Sequence, residues 1–310
     1  MSGMRNQKAT RNCMALLVLG VGMLLAPSLF AQEGSSEASD YRRSYYFQNF
    51  VYPGDTFLQL LSINDEGLVA GYHGSGATGH PNKGILLTPA GTFISENFPD
   101  SAQTQVTGIN DARVTVGFYI NSEGTTFGFY KDTKGYHRVA YPGTTFNQLL
   151  GTNQIGQFAG YYADSAGNDH GYTFAPWADL FQLLTFVSTS VVSVQETGIN
   201  DSGEICGFYV NGDGVNYGFT LAGGTFTTLK YPDSTFTQAL GINDRGEVVG
   251  DYMDSAGLTH GFVYLHGHFQ SVDDPEGIGT TTVNGLNRVG QLVGFYVDTE
   301  GNTDGFVATP

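Results

Sequence analysis

From about residue 44 onward, short apolar stretches alternate with clusters of turn-forming residues, and no stretch shows a sustained helical period. In one representative segment, turns fall at residues 243–246, at residues 254–257 and at Gly267, where asparagine, aspartate and glycine favour tight turns. Apolar runs of this length between turns predict β-strands. The four strands predicted for this segment cover residues 237–242, 247–253, 260–265 and 269–273.

This segment recurs six times, and its most regular feature is an asparagine in a phrase such as Gly-Ile-Asn-Asp. Successive asparagines are 46, 43, 47, 43 and 44 residues apart. Repeats of about 45 residues with four short strands each are typical of β-propeller blades, whereas 44 glycines argue against a helical repeat. We therefore predict an all-β fold, a six-bladed β-propeller of four-stranded antiparallel blades. The pivotal asparagines are Asn64, Asn110, Asn153, Asn200, Asn243 and Asn287.

The two ends of the chain predict how the ring closes. The sixth repeat stops after its third strand, at residues 305–310, so its fourth strand is missing. Residues 47–53 match residues 226–232, the fourth strand of a complete repeat, in length and pattern. The N-terminal strand is therefore expected to complete the last blade, which removes two open sheet edges.

A second period spans two blades. The phrase Tyr-Pro-x-x-Thr-Phe leads into the odd-numbered blades, whereas the even-numbered blades carry Gly-Phe-Tyr in the second strand. The repeating unit is thus a pair of blades, and we predict a pseudo-threefold ring in which any ligand-binding feature alternates. The first phrase begins at Tyr52, Tyr141 and Tyr231, and the second covers residues 117–119, 207–209 and 294–296.

The N-terminal residues predict export. Residues 1–31 have a basic start, an apolar run and a small-residue cleavage region, which are the marks of a secretory signal peptide. Residues 32–43 are polar and aperiodic, as in a flexible leader, and residues 44–310 form one domain. Because no second apolar span follows, we expect a secreted or periplasmic protein without a membrane span. The one remaining cysteine, Cys206, is expected to be a small buried residue rather than a nucleophile.

The net charge of the chain makes some classes of binding partner unexpected. The signal region carries three of the 13 basic residues and none of the 29 acidic ones, so the remaining chain has a formal charge of −19. Nucleic acids and anionic membranes need a basic surface and are therefore not expected as partners. We predict a monomer without a cofactor.

Two repeats begin their third strand with histidine, in His170-Gly171-Tyr172 and His260-Gly261-Phe262. With the Gly-Ile-Asn-Asp-x-Gly-x-Val-Val-Gly phrase, these residues resemble the HAF-repeat extracellular proteins, although glycine replaces the alanine of their His-Ala-Phe strand. The resemblance implies an exported repeat protein of unsettled function and transfers no catalytic residue. At the histidine position the other repeats have Lys83, Phe127, Tyr217 or Asp304.

The residues five positions before each asparagine form a first candidate ring near the predicted channel mouth. Amide side chains suit sugar hydroxyls or ordered water, but they also serve to cap backbone groups between blades. The position holds Gln59, Gln105, Gln148, Gln195, Gln238 and Thr282, of which Gln59, Gln148 and Gln238 are selected as ligand-binding candidates.

Aromatic residues nine positions after each asparagine form a second candidate ring. Together with the rings of the Tyr-Pro-x-x-Thr-Phe phrases they offer a platform for stacking on sugars, and packing between blades is the alternative. The candidates are Tyr119, Tyr209 and Tyr296, with Tyr52, Tyr141 and Tyr231 and with Phe57, Phe146 and Phe236.

Catalytic and metal-binding chemistry is weakly indicated. Five of the loops between second and third strands carry one or two acids each, too few for calcium, so no metal site is predicted. His170 and His260 are weak candidates for a general base, but a catalytic centre needs several groups at one point, and repetition scatters them around the ring.

The favoured interpretation is a non-enzymatic binding module that presents the Tyr-Pro-x-x-Thr-Phe loops to an extracellular carbohydrate or protein. The alternatives are a polysaccharide lyase or glycoside hydrolase that uses His170 or His260 as the base, and a purely structural envelope component.

Overall fold

The computed structural model describes residues 42–184 and 191–310. The predicted signal peptide and nearly all of the predicted leader lie outside the described residues. Within the described ranges the chain forms six four-stranded antiparallel sheets. These sheets are the blades of a six-bladed β-propeller, which confirms the predicted fold class.

The strands follow the repeat closely. In the fifth blade, all four observed strands begin or end within one residue of the predicted bounds. The first blade contains β2 (Leu58–Ile63), β3 (Val69–His73), β4 (Lys83–Leu87) and β5 (Phe93–Ser95); the second β6 (Gln103–Ile109), β7 (Thr115–Ile120), β8 (Thr126–Asp132) and β9 (Gly135–Val139); and the third β10 (Asn147–Thr152), β11 (Phe158–Ala163), β12 (Asp169–Ala175) and β13 (Leu180–Leu183). The fourth contains β14 (Val191–Ile199), β15 (Ile205–Asn211), β16 (Asn216–Ala222) and β17 (Thr225–Leu229); the fifth β18 (Phe236–Ile242), β19 (Val248–Met253), β20 (Thr259–Leu265) and β21 (His268–Val272); and the sixth β22 (Thr282–Leu286), β23 (Leu292–Val297), β24 (Thr303–Thr309) and β1 (Tyr46–Phe50).

The N-terminal strand closes the ring, as predicted. β1 pairs antiparallel with β24, with Tyr46 opposite Thr309 and Phe50 opposite Gly305. The ring of Phe47 packs edge-on against the fully buried ring of Phe306, with 5.3 Å between the centroids. The last blade is thus assembled from both ends of the chain, and its outer edge is covered.

The first strand of every blade carries a β-bulge just before the pivotal asparagine, as at Leu60/Ser62 in β2. The facing residue of the second strand is then crowded by a strand-one carbonyl. A Cβ on Gly250 would collide with the carbonyl oxygen of Gln238, and the same collision recurs in all six blades. This crowding explains the glycine that ends the Val-Val-Gly phrase.

The third strand also needs glycine, because the next blade packs directly on it. A Cβ on Gly171 would lie 2.9 Å from Cγ of Glu196, and one on Gly261 would lie 2.5 Å from Cγ2 of Val283. Both distances are shorter than a normal carbon–carbon contact of about 3.5 Å. The chain therefore departs from a His-Ala-Phe strand where its blades pack most closely.

The pivotal asparagines link the blades into a hub. Each Nδ2 donates a hydrogen bond to the backbone carbonyl of the next asparagine around the ring, at 3.0–3.2 Å, and Asn287 closes the circle onto Asn64. Each Oδ1 also accepts a hydrogen bond from the N–H group four residues on in its own turn, as Asn243 does from Glu247 and Asn110 from Val114. One amide therefore shapes the turn and joins two blades.

Candidate functional site

The antiparallel order of the strands gives the ring two faces. The loop face carries the connections between blades and those between second and third strands, and the hub face carries the asparagine turns. The three Tyr-Pro-x-x-Thr-Phe loops all lie on the loop face. They recur in the three odd-numbered blades and carry aromatic side chains, and they form the candidate site.

Each of these loops is folded by bonds to the carbonyl of its tyrosine. The N–H of Asp55 donates to the oxygen of Tyr52 at 3.0 Å. The hydroxyls of Thr144 and Ser234 donate to the oxygens of Tyr141 and Tyr231, at 3.0 and 2.7 Å. Three loops with one sequence pattern thus adopt one local conformation.

The tyrosine that begins each loop is stacked on the second strand of the blade that follows. The ring centroids of Tyr52 and His73 are 3.6 Å apart, those of Tyr141 and Tyr162 are 3.9 Å apart, and those of Tyr231 and Tyr252 are 3.5 Å apart. The planes are parallel to within 11°. Stacking holds these half-buried tyrosines in place before any ligand arrives.

The stacked pair is not confined to the odd-numbered blades. In the second blade Phe98 stacks on Tyr119 at 3.8 Å, although its loop lacks the Tyr-Pro-x-x-Thr-Phe phrase. The alternation predicted from the sequence therefore holds for the loop phrase but not for the stacking.

The phenylalanine that ends each loop is half-buried, and the first two loops are hydrogen-bonded to the preceding blade. The N–H of Thr303 donates to the carbonyl of Thr56 at 3.0 Å, and that of Thr126 donates to Thr145 at 3.2 Å. The ring centroids of Phe57 and Phe146 each lie 5.8 Å from that of a second-strand tyrosine. All three phenylalanines, with Phe236, are partly exposed. Two of the loops thus bridge adjacent blades, and all three leave aromatic surface partly exposed.

The glutamine candidates lie deeper than a surface ring. Gln59 and Gln148 are 5% and 6% exposed, and their Oε1 atoms accept hydrogen bonds from the hydroxyls of Tyr72 and Tyr161 at 2.6 and 2.9 Å. Gln238 is partly exposed. Its cross-strand partner is Asp251, which stands where the other blades have tyrosine or phenylalanine. The structure therefore makes Gln238 the most accessible of the three.

The remaining aromatic candidates differ in exposure. Tyr119 and Tyr296 are buried, at 7% and 1%, and the hydroxyl of Tyr296 donates to Glu276 at 3.0 Å. Tyr209 is half-buried and exchanges a hydrogen bond with Thr228. Burial raises the pKa of Tyr119 and of Tyr296. Among the aromatic candidates, partly exposed surface on the loop face thus comes from the three loops and Tyr209.

The two histidine candidates are both paired with aspartate. Nε2 of His170 lies 3.0 Å from Oδ2 of Asp164, and this contact is the main cause that lowers the pKa of the Asp164 carboxyl. Nδ1 of His260 lies 3.0 Å from both oxygens of Asp273, and its Nε2 lies 3.5 Å from Asp254. Both nitrogens of His260 therefore face carboxylates of the protein itself.

On the hub face, the axial channel contains a cavity of about 100 Å³. Its wall alternates by blade between leucine and a hydrogen-bonding side chain, which the sequence analysis missed. The hydroxyls of Thr107 and Thr197 donate to carbonyls of the next blade, at 2.8 and 2.9 Å. The alternating residues are Leu61, Thr107, Leu150, Thr197, Leu240 and Asn284.

The mouth of this channel is rimmed by the residues that follow the asparagines. Each carboxyl or amide oxygen accepts the backbone N–H of the preceding blade, as Asp111 does from Asp65 at 2.8 Å. Burial, with the neighbouring Asp244 and Asp111, raises the pKa of Asp201. The Asn-Asp phrase in the sequence contains these residues, but a single repeat does not show that their side chains bond to the preceding blade.

Other chemistry finds little support in the part of the chain that the structure describes. No group of three or more histidine, cysteine, aspartate or glutamate side chains there is placed to hold a metal ion. Cys206 is fully buried, as predicted, and burial raises the pKa of its thiol to about 12. Across residues 42–184 and 191–310, no helix is long and apolar enough to span a membrane.

The comparisons with known proteins give the fold. No family model and no curated protein matches the chain. Among solved structures, the chain is similar to TolB from Acinetobacter baumannii, at 11% identity and a TM-score of 0.53, over 79% of this chain. It spans 64% of the length of that TolB.

Two fungal proteins are similar over more of their length. The fucose-specific lectin from Aleuria aurantia matches at 10% identity and a TM-score of 0.52, over 80% of this chain and 89% of the lectin. AofleA from Arthrobotrys oligospora matches at 12% identity and a TM-score of 0.50, over 89% of this chain and 86% of its own. At such identities the likeness shows a shared propeller architecture.

Proposed function

We propose that this protein is an exported, non-enzymatic binding module whose loop face holds an extracellular glycan. The observation that carries the proposal is the set of three Tyr-Pro-x-x-Thr-Phe loops. They share one conformation and present partly exposed aromatic rings that are ordered by stacking. Ordered aromatic rings provide contact area for sugars at a small cost in conformational entropy.

The composition of the loop face favours neutral glycans. Five of its six loops between second and third strands carry acidic residues, such as Glu123, Asp213 and Glu300, and none of the six carries lysine or arginine. The exposed Lys230, before Tyr231, is a single positive charge on this face. Like charges would repel uronic-acid or sulfated polymers. A solved propeller of similar architecture is a fucose-specific lectin, which supports glycan binding as a use of this fold.

Affinity electrophoresis through gels that contain neutral or acidic polysaccharides tests the proposal. We expect at least one neutral polysaccharide to retard the native protein, and Tyr141→Ala with Tyr231→Ala to abolish the retardation. A glycan array read with the same variants would identify the sugar. Thermal melting of each variant establishes that it is folded.

Trp177→Ala is the matched control, because Trp177 is an aromatic residue, 63% exposed, in a turn on the hub face. Its loss should leave the retardation unchanged. Absence of retention on every glycan, or retention that survives the paired tyrosine changes, would refute the proposal.

A further inference from the structure

Two carboxyl groups occupy positions that are apolar in every other blade. Four residues before the pivotal asparagine, Glu196 replaces leucine, valine or alanine. Eight residues after it, Asp251 replaces tyrosine or phenylalanine. Both side chains are buried, with Glu196 1% and Asp251 8% exposed. Buried carboxyl groups are costly when ionised unless a cation or several donors compensate them.

Asp251 faces the contact between the fifth and sixth blades. It lies directly opposite Gly261, whose missing Cβ would touch Val283 of the sixth blade, so both residues share the face that packs there. Its Oδ1 is buried without a hydrogen-bond partner among the described residues. Its neighbours across the sheet are Gln238 of β18 and Gly261 of β20, and the sixth-blade side chains beside Gly261 are those of Val283 and Thr281. None of these groups titrates.

Glu196 lies in the contact between the third and fourth blades. Its Cγ packs against Gly171, and its Oε2 accepts a hydrogen bond from the hydroxyl of Thr173 at 2.9 Å. No lysine, arginine or histidine within the described ranges forms an ion pair with Glu196 or Asp251. The titratable groups nearby are Tyr172 and Cys206, which burial keeps neutral, and Asp169 of β12, whose carboxylate accepts a hydrogen bond from Nε2 of Gln195 at 2.7 Å.

We propose that these two blade contacts form a pH-sensitive device, in which protonated Glu196 and Asp251 hold the ring tight and their ionisation loosens it. The device is local, because it acts at two of the six contacts. At the equivalent positions the other contacts have apolar or aromatic side chains, and these do not titrate in the neutral range.

The direction of the effect follows from the pKa of each group. Burial raises the pKa of Glu196 to about 8 and that of Asp251 to about 7. Between the ordinary carboxyl pKa of about 4 and these values, the folded protein binds more protons than the unfolded chain. Stability therefore falls as the pH rises through this window. The exposed aspartates whose pKa is lowered, such as Asp164 and Asp298, act at lower pH and with opposite sign.

Thermal melting between about pH 5 and about pH 9 tests the device in the full-length protein. We expect the melting temperature of the native protein to fall across this range, and the Glu196→Gln/Asp251→Asn variant to show a smaller fall. Asp201, Asp274 and Asp304, whose pKa burial also raises, are present in both proteins. Glu300→Gln, which removes an exposed carboxyl, should leave the fall unchanged. Parallel curves for the native protein and the double variant would overturn the proposal.

Hydrogen exchange locates the effect. At alkaline pH the native protein should exchange faster than the double variant in β12, β14, β19 and β22, and equally in β2 and β6. Glu196→Leu and Asp251→Tyr restore residues used by other blades, so they provide folded variants that lack the carboxyls. Equal exchange in the native protein and the double variant in all strands, or a fall in melting temperature that is undiminished in these variants, would exclude the device.

Discussion

At the scale of single residues, the pivotal asparagines both shape the turns and link the blades. Asparagine was expected at these positions as a turn former. The structure adds a second role, since each Nδ2 bonds to the next blade in a closed circle of six. Aspartate or serine could also form the turn. At neutral pH, however, an aspartate side chain has no proton to donate to the carbonyl of the next blade, and the serine side chain is shorter and would not reach that carbonyl.

The variant Asn243→Ala removes both the turn bonds and the bond between blades, and a turn asparagine outside the hub is its control. It removes the bond to Asn287, the acceptor of two turn N–H groups and a donor to Glu247. We expect a loss of about 2–4 kcal/mol in the free energy of unfolding, measured by urea titration. Asn211→Ala removes an equivalent turn acceptor that joins no blades. It should cost about 1 kcal/mol or less, and equal losses would contradict the hub.

Arg113 occupies a position that glycine holds in the other five turns. Its φ of 58° lies in the left-handed region, which costs a non-glycine residue about 1–2 kcal/mol. Its ion pair with Glu66 is exposed and contributes little. Arg113→Gly should therefore stabilise the protein by about 0.5–1 kcal/mol in urea titration, after the entropic cost of glycine. Arg113→Ala should leave the free energy of unfolding nearly unchanged. A loss of stability in Arg113→Gly would contradict the backbone strain at this position.

At the scale of elements, the strands could be predicted well because every signal was written six times. Turn residues bounded the strands to within one residue in the fifth blade. The contacts between blades could not be predicted, because they join residues about 45 positions apart. Nothing in the sequence showed that Phe98 would stack like the loop tyrosines, or that Tyr72 would cover Gln59.

The glycine at the end of the Val-Val-Gly phrase is needed for space rather than for its backbone angles. Gly250→Ala would drive a Cβ into the carbonyl of Gln238, and we expect a loss of about 3 kcal/mol or more on thermal or urea unfolding. Gly257→Ala is the comparison, because its φ is 82° and its Cβ would meet no atom within 4 Å. It should cost about 1–2 kcal/mol. A larger loss of stability for Gly257→Ala than for Gly250→Ala would contradict the position of the β-bulge in β18.

At the scale of the whole molecule, both ends of the chain hold the ring shut. Before β1, Arg43 reaches from the sixth blade to the fifth. Its guanidinium lies 2.6 Å from the buried carboxylate of Glu247, and its backbone exchanges two hydrogen bonds with Gln270. The sequence predicted the closing strand, but it placed residue 43 in the leader and gave no sign of this clasp.

Arg43→Ala tests the clasp apart from the strand. Burial alone would raise the pKa of Glu247, but hydrogen bonds from Asn243, Arg245 and Arg43 lower it. Loss of Arg43 should therefore cost about 1–3 kcal/mol at neutral pH and less at acidic pH, where Glu247 becomes protonated. Arg42→Ala, at an exposed neighbour, is the control in the same melts. A cost that does not depend on pH would exclude the ion pair as its source.

The proposed function is glycan binding by the loop face. Deuterium exchange with and without the retained polysaccharide tests this proposal most directly. The account predicts slower exchange in the loops at residues 52–57, 141–146 and 231–236, and no change in the asparagine turns of the hub face. Protection confined to the hub face or to the outer strands, with the three loops unaffected, would contradict it.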